Sequence, residues 1–400
     1  MYLTNLTIKE REIIMDNFVF DNATKIYFGK DQIKKLPGLL TPFGKNVLLV
    51  YGGGSIKRTG LYETIQTLLS DFNIIECEGV EPNPHHTTVQ KGADLCKQHH
   101  IDVILAVGGG SVIDAAKVMG AGAHYDGPIW DLVVDASKIQ DVTPLVTVLT
   151  LSGTGSEMNR GSVITNTQLN IKKGTGGQNS LPFASIIDPT YMMTLPANQT
   201  AAGAIDAFSH AIENYFKADN DTFMQDAISE SVMKAVIKYA PIALKEPTNY
   251  QARANLAWAS TLALNGLTGV GKPGPWAVHA IEHELSAYYD LTHGLGLGIL
   301  IPVWLGFILE DEMMPIFVRY GVNVWGIDSS KDDSTIAYES IDRTIEFFKS
   351  LNAPLTLREV NIDSTHFEVM AKSAVALGRL TQHLFPLDEN DVMMILNQCL

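Results

Sequence analysis

The sequence predicts an α/β N-terminal domain built on a parallel sheet, followed by an all-helical C-terminal domain. Short β-branched apolar runs alternate with amphipathic stretches through the first half, at lengths that suit βαβ units. The clearest runs each end in a turn rich in Gly, Ser or Thr. From about Pro196 onward the texture changes to long helical patterns with few strand signals.

The expected buried strands are Asn46–Tyr51, Asp102–Val107 and Leu145–Thr150. A helix is expected from Val112 to Met119, and the second half offers Ala201–Phe216, Phe223–Tyr239 and Ala252–Asn265. The boundary falls within Asp188–Pro196, where two prolines bracket a segment that neither pattern claims. This divides the chain into residues 1–195, for dinucleotide binding, and 196–400, for metal and substrate. The longest apolar run, Leu295–Leu309, is shorter than the ~20 residues that span a bilayer and is interrupted by Pro302 and glycines. It reads as a buried helix pair, and no membrane association is expected.

At 400 residues the chain has room for two or three domains, and 46% apolar with 18% charged residues describes a compact fold. Its 29 basic and 44 acidic residues give a net charge of −15, which opposes nucleic acid or an anionic membrane as partner. Cys77, Cys96 and Cys399 form no CxxC pair and are too few for a disulfide framework, so the cytoplasm is the expected compartment. The stretch Met1–Asn17 mixes charged with apolar residues and lacks the apolar core of an export signal.

Gly-Gly-Gly-Ser occurs twice, at Gly52–Ser55 and Gly108–Ser111, each time directly after an expected strand. Glycine lets backbone approach a phosphate, and a following helix offers unpaired N–H groups and a positive dipole end. The second turn, leading into a good helix start, is the better pyrophosphate site. It departs from the dinucleotide fingerprint by placing Ile113 where a third glycine belongs, and Ser111 with Asp114 also reads as a simple capping box. A third turn, Thr150–Glu157, adds hydroxyl donors. Three such turns at one sheet edge suit a nucleotide-sized ligand. No acid stands in Gly52–Arg58, so a 2′-phosphate would be accepted there by Ser55 and one of Lys57 or Arg58, which predicts NADPH in preference to NADH. Two bases on a solvated helix start are the plainer reading of the same residues.

Asp206 and His210 stand four residues apart in an apolar helical pattern, as do His279 and His283, with His293 following. Polar groups that enter an apolar interior need a partner, and a metal ion would satisfy them; a hydrogen-bonded core imidazole is the alternative for any single histidine. The metalloprotease pattern HExxH fails, because Ala287 stands where its second histidine belongs. Spacing does not choose which three histidines bind.

Taken together these residues resemble the iron-containing alcohol dehydrogenases, particularly the NADPH-dependent aldehyde reductase and butanol dehydrogenase branch, over nearly the whole chain. The family's metal pattern falls on Asp206, His210, His279 and His293, its Gly-Gly-Gly-Ser-x-x-Asp motif on Gly108–Asp114, its Glu-Pro-Asn-Pro segment on Glu81–Pro84, and its Thr-x-x-x-Thr-Gly-Ser-Glu turn on Thr150–Glu157. The resemblance implies a Rossmann-like sheet plus an all-helical domain, the architecture also used by dehydroquinate synthases. It implies cofactor contacts at Gly52, Gly53, Ser55 and Lys57, at Asn83, and at Gly109, Gly110, Ser111 and Asp114. Thr150, Leu151, Thr154, Lys172 and Leu195 complete that set. It also implies a homodimer, and Fe²⁺ as the metal with Zn²⁺ as the alternative. Glu282 and Thr292 depart from the commonest family form, which has Ala and Pro there, and point to the butanol dehydrogenase branch.

The chemistry expected is hydride transfer between NADP(H) and a short- or medium-chain aldehyde or primary alcohol, with one open position on the ion. His283 is the candidate proton relay, or else a hydrogen-bonding group that orients a ligand. Trp276, Phe208 and Tyr288 are candidate linings of an apolar substrate slot. Two rivals are a lyase of dehydroquinate synthase type and a non-catalytic nucleotide- or metal-binding protein. The lyase would need Arg and Lys near the metal helices, and Ala201–Ile212 and Ala277–Ala287 contain none.

Overall fold

A computed structural model describes residues 15–217 and 221–400. Most of the N-terminal stretch weighed against an export signal therefore lies outside the described residues. In chain order the strands are β1 (Lys25–Phe28), β2 (Asn46–Tyr51), β3 (Asn73–Cys77), β4 (Val103–Gly108), β5 (Leu145–Leu149), β6 (Gly161–Asn166), β7 (Ile171–Gly176) and β8 (Ala184–Ile187). Helices α1 (Leu36–Leu40), α2 (Ser55–Arg58), α3 (Leu61–Leu68), α4 (His86–Gln98), α5 (Gly110–Gly122) and α6 (Trp130–Val134) lie between them. Then follow α7 (Ala197–Phe216), α8 (Phe223–Lys245), α9 (Tyr250–Ala263), α10 (Val278–Tyr289), α11 (His293–Phe307), α12 (Met314–Trp325), α13 (Asp333–Ser350), α14 (Phe367–Gly378) and α15 (Glu389–Gln398).

Six strands form one parallel sheet in the order β1-β8-β5-β4-β2-β3, and β6 pairs with β7 as an antiparallel hairpin. Alternation within β2 explains the layering. Val47 and Leu49 join a core with Leu36 and Ile65 on one face, while Leu48 and Val50 join another with Val89 and Ile113 from α4 and α5. A strand covered on both faces must be apolar at every position, which is why β2, β4 and β5 stand out in the sequence.

The strands that the sequence hides are short or at an edge. β1 and β3 end the sheet and are half-exposed, so they lack continuous apolar runs, and β8, though buried, has four residues. One expectation is corrected: Leu295–Leu309 is not a helix pair. Pro302 sits inside the single helix α11, forfeiting one backbone hydrogen bond, and the burial of Leu297, Ile301 and Trp304 holds the helix through it. Among the described residues no helix is long and apolar enough to cross a membrane.

Candidate active site

The three turns meet at the carboxyl ends of neighbouring strands, and their glycines are what permits the approach. A Cβ on Gly110 would lie 2.2 Å from Thr154 Oγ1, and one on Gly109 would lie 3.1 Å from Leu151 Cβ. The Gly108–Ser111 turn thus packs directly on Thr150–Thr154. Ser111 Oγ donates to the Pro82 carbonyl, which fastens the Glu81–Pro84 loop to the same edge. At the first turn Gly54 adopts φ +86°, a left-handed conformation that favours glycine, and precedes α2.

Asp114, an expected cofactor contact, also has a structural task. It is buried, accepting from Ser156 Oγ at 2.5 Å through one oxygen and from the Val163 N–H at 2.8 Å through the other. The capping box with Ser111 is absent too; Asp114 ties α5 to the third turn and to the hairpin. Lys117, one turn on, donates to Ser156 Oγ, Asn159 Oδ1 and the Gly161 carbonyl. Burial pulls its ammonium down to about 8, against the opposing pull of Asp114 and Glu157.

On the helical side, α7 is buried from Thr200 to Phe216. A Cβ on Gly203 would stand 2.0 Å from the Ser152 carbonyl oxygen, and one on Gly294 2.0 Å from the Ala202 carbonyl oxygen. These two glycines let α7 touch the turn after β5 and the first turn of α11. Asp206, one turn beyond Gly203, is thereby brought to His293.

Around Asp206 Oδ1 the Nε2 atoms of His210, His279 and His293 lie at 3.6, 3.9 and 3.7 Å. Ligand atoms of Asp206, His279 and His293 lie within 4.8 Å of one another, close enough to share a divalent ion, and His210 stands beside them through its contact with Asp206. Asp206 Oδ1 and His279 Nε2 are buried with no hydrogen-bond partner. Burial pushes the Asp206 carboxyl up to about 7 although His279 opposes it, and burial holds His210 and His293 well below the usual imidazole range. Such a set of unpaired acceptors is costly unless a cation fills it, and its oxygen and nitrogen donors fit a divalent ion such as Fe²⁺ or Zn²⁺.

Two acids stand behind the histidines: Glu213, which the sequence reading missed, and Glu282, which it marked only as a departure from the family form. Glu213 accepts the backbone N–H groups of Val278 and His279 at 2.7 and 3.1 Å and hydrogen-bonds His279 Nδ1. Glu282 hydrogen-bonds His293 Nδ1 and accepts from Ser286 Oγ. Glu213 follows Asp206 by seven residues on the buried face of α7, a register signal that could have revealed it.

Lys172 reaches into this layer from β7. Its Nζ is 3.0 Å from Ser286 Oγ, 3.4 Å from His293 Nδ1 and 3.5 Å from Glu282 Oε2. Asn83 likewise crosses between the two halves, donating to Asp290 Oδ1 at 2.7 Å. Leu195 lines a small cavity with Ser152, Gly203 and Arg253. His283 is half-buried beside the cluster, its ring 5.7 Å from that of His293, and burial together with the Lys172 charge holds its imidazole well below the usual range.

Of the three aromatic candidates only Trp276 belongs here: its ring lies 4.8 Å from that of His279, and Nε1 donates to Asn214. Phe208 is wholly buried against Phe347 and Phe348, and Tyr288 packs on His366. The premise about the first turn also changes. Glu76 and Glu78 arrive from the β3 side: Tyr51 Oη is 2.5 Å from the first and 2.9 Å from the second, and Lys57 Nζ is 3.1 Å from Glu78.

Residues 23–189 match the family model described as iron-containing alcohol dehydrogenase, and residues 200–400 match that of the C-terminal part of the Fe-containing alcohol dehydrogenase family. NADH-dependent butanol dehydrogenase A of Clostridium acetobutylicum is 48% identical over 384 residues, 95% of this chain and 99% of the relative. The NADPH-dependent aldehyde reductase YqhD of Escherichia coli is 37% identical over 90% of this chain and 92% of its own length. The crystal structure of NADH-dependent butanol dehydrogenase A from Thermotoga maritima superposes with a TM-score of 0.91 at 36% identity, covering 96% of this chain and 99% of that one. These matches put the chain among oxidoreductases that act on CH–OH groups. Within that class it belongs to the iron-containing alcohol dehydrogenase family. Membership implies iron and a nicotinamide dinucleotide, and the relatives' names divide between NADH and NADPH.

Proposed function

We propose that the chain interconverts short- or medium-chain aldehydes and primary alcohols, with Asp206, His210, His279 and His293 holding a divalent ion. The observation that carries this is the buried, unpartnered pair of Asp206 Oδ1 and His279 Nε2, with the His210 and His293 Nε2 atoms facing the same oxygen. When bound, the ion supplies Lewis acidity toward the substrate oxygen and the nicotinamide supplies or accepts hydride.

The chain's own part is positioning and proton handling. The Gly108–Ser111 turn and the start of α5 would hold the pyrophosphate through backbone N–H groups. The Thr150–Thr154 turn, packed on that segment and on α7, would help hold the dinucleotide when it is bound. Trp276 forms an apolar wall beside His279. His283 exchanges a proton with the product oxygen from its imidazole, and orienting His293 is its competing role.

Cofactor choice turns on Lys57. Ser55 and one of Lys57 or Arg58 favour a 2′-phosphate, as read from the sequence, whereas Glu78 occupies Lys57 and Glu76 hydrogen-bonds Tyr51 at the end of β2. A ribose diol suits the carboxylates. NADH is therefore accepted with the Lys57–Glu78 pair closed, and NADPH with it broken. We place the enzyme in the cytoplasm, in keeping with its buried free cysteines Cys77, Cys96 and Cys399, and as a homodimer on the family resemblance alone.

The test is metal-free protein reloaded anaerobically with Fe²⁺ or Zn²⁺, with butanal as substrate and NADH and NADPH oxidation followed beside Asp206→Ala. Turnover should return with metal and be absent in the variant. Dinucleotide binding without turnover on either ion would move the weight to the lyase or non-catalytic alternatives.

A further inference from the structure

We propose that Glu213 and Glu282 are positioning residues that fix the tautomers and orientation of His279 and His293 toward a divalent ion. The inference rests on the metal reading above and deepens it.

A neutral imidazole carries its proton on one nitrogen and its lone pair on the other, and the partner of the first decides which is which. Each carboxylate meets an Nδ1. A carboxylate accepts only, so both rings hold their proton at Nδ1 and present the Nε2 lone pair. Those lone pairs point to Asp206 Oδ1, 3.9 and 3.7 Å away. The carboxylates are themselves held: Glu213 by the Val278 and His279 N–H groups, Glu282 by Ser286 and Lys172. Both are buried, with relative exposures of 2% and 0%. His210 differs, since its Nδ1 is buried without a partner. Its Nε2 therefore points at Asp206 with nothing behind it, which makes His210 the least constrained of the three imidazoles.

The experiment measures Co²⁺ and Zn²⁺ affinity by competition with a chromogenic chelator, together with the visible spectrum of the Co²⁺ form. Wild type is compared with Glu282→Gln, Glu213→Gln and Ser286→Ala, and metal-free melting temperatures report folding. Glu282→Gln keeps the shape of the side chain and removes its charge. It should bind about 10- to 100-fold more weakly and alter the Co²⁺ bands while its metal-free form melts with wild type. Ser286→Ala leaves the charge and loosens its orientation, and should weaken binding by less; it carries the test if a glutamine variant does not fold. Affinity within twofold of wild type and an unchanged Co²⁺ spectrum in the folded variants would overturn the proposal. A wild-type chain that takes up neither ion would overturn the metal reading itself, a result distinct from unchanged variants.

Discussion

Lys57 Nζ and Glu78 Oε2 lie 3.1 Å apart beside the first glycine turn, with side chains 43% and 62% exposed. An exposed pair of this kind contributes little to stability, so its consequence is in what the turn can bind. Glu78→Gln should raise the ratio of kcat/KM for NADPH over NADH by about 5- to 10-fold, since it removes one negative charge facing the 2′-phosphate. Lys57→Ala should move the ratio the other way. Steady-state kinetics with both dinucleotides decide it, and a ratio that neither change moves removes the pair from cofactor choice.

Gly203 is under the tightest constraint near the cluster. Alanine would place a Cβ 2.0 Å from the Ser152 carbonyl oxygen, a backbone atom that has no room to yield. We expect Gly203→Ala to cost about 1–3 kcal/mol in chemical denaturation and to depress turnover, because α7 carries Asp206 one turn further on. Gly306→Ala is the control, since nothing lies within 4 Å of its Cβ position, and it should be neutral or stabilising by up to ~1 kcal/mol. Equal behaviour of the two variants would show that α7 adapts.

Glu284 is 2% exposed, accepts from Ser373 Oγ at 2.7 Å, and has its other oxygen buried without a partner. Burial pushes its carboxyl from 4.5 up to about 7. The folded state thus holds a proton that the unfolded chain releases, so the contribution of Glu284 to stability is greatest below pH 4.5 and falls as pH rises toward 7. The loss amounts to about 3 kcal/mol. Glu284→Gln should gain about that much over wild type above pH 7 and nothing below pH 4.5. Urea titrations at pH 4.5, 6 and 8 test it, and a gain independent of pH would contradict it.

For His283→Ala the expected result is a full complement of bound ion with kcat lowered by about 10²- to 10⁴-fold and one limb of the pH–rate profile missing. Metal analysis beside the profile separates proton transfer from orientation, because loss of the ion in the variant would assign His283 to holding His293.

Legibility in the sequence follows a simple physical line. The interior strands β2, β4 and β5 were visible because both their faces are covered, and β1 and β3 were not because a sheet edge relaxes the demand for apolar side chains. Asp206 and His210 were visible through a four-residue spacing, a local relationship. Lys57 and Glu78 are 21 residues apart, and Lys172 and Ser286 are 114 apart, so only the folded chain joins them. Glu282 stands in the sequence as a departure from the family pattern, and its task is set by His293, 11 residues on, whose Nδ1 it hydrogen-bonds.

The donors of the cluster are carried by α7, α10 and α11, and the unfolded chain keeps none of that convergence. Whatever cation the cluster holds therefore binds the native state in preference to the unfolded one. At a free concentration one hundred times the dissociation constant this linkage adds about 2.7 kcal/mol, a substantial fraction of the stability of an ordinary domain. An ion held there would thus link resistance to proteolysis with metal supply.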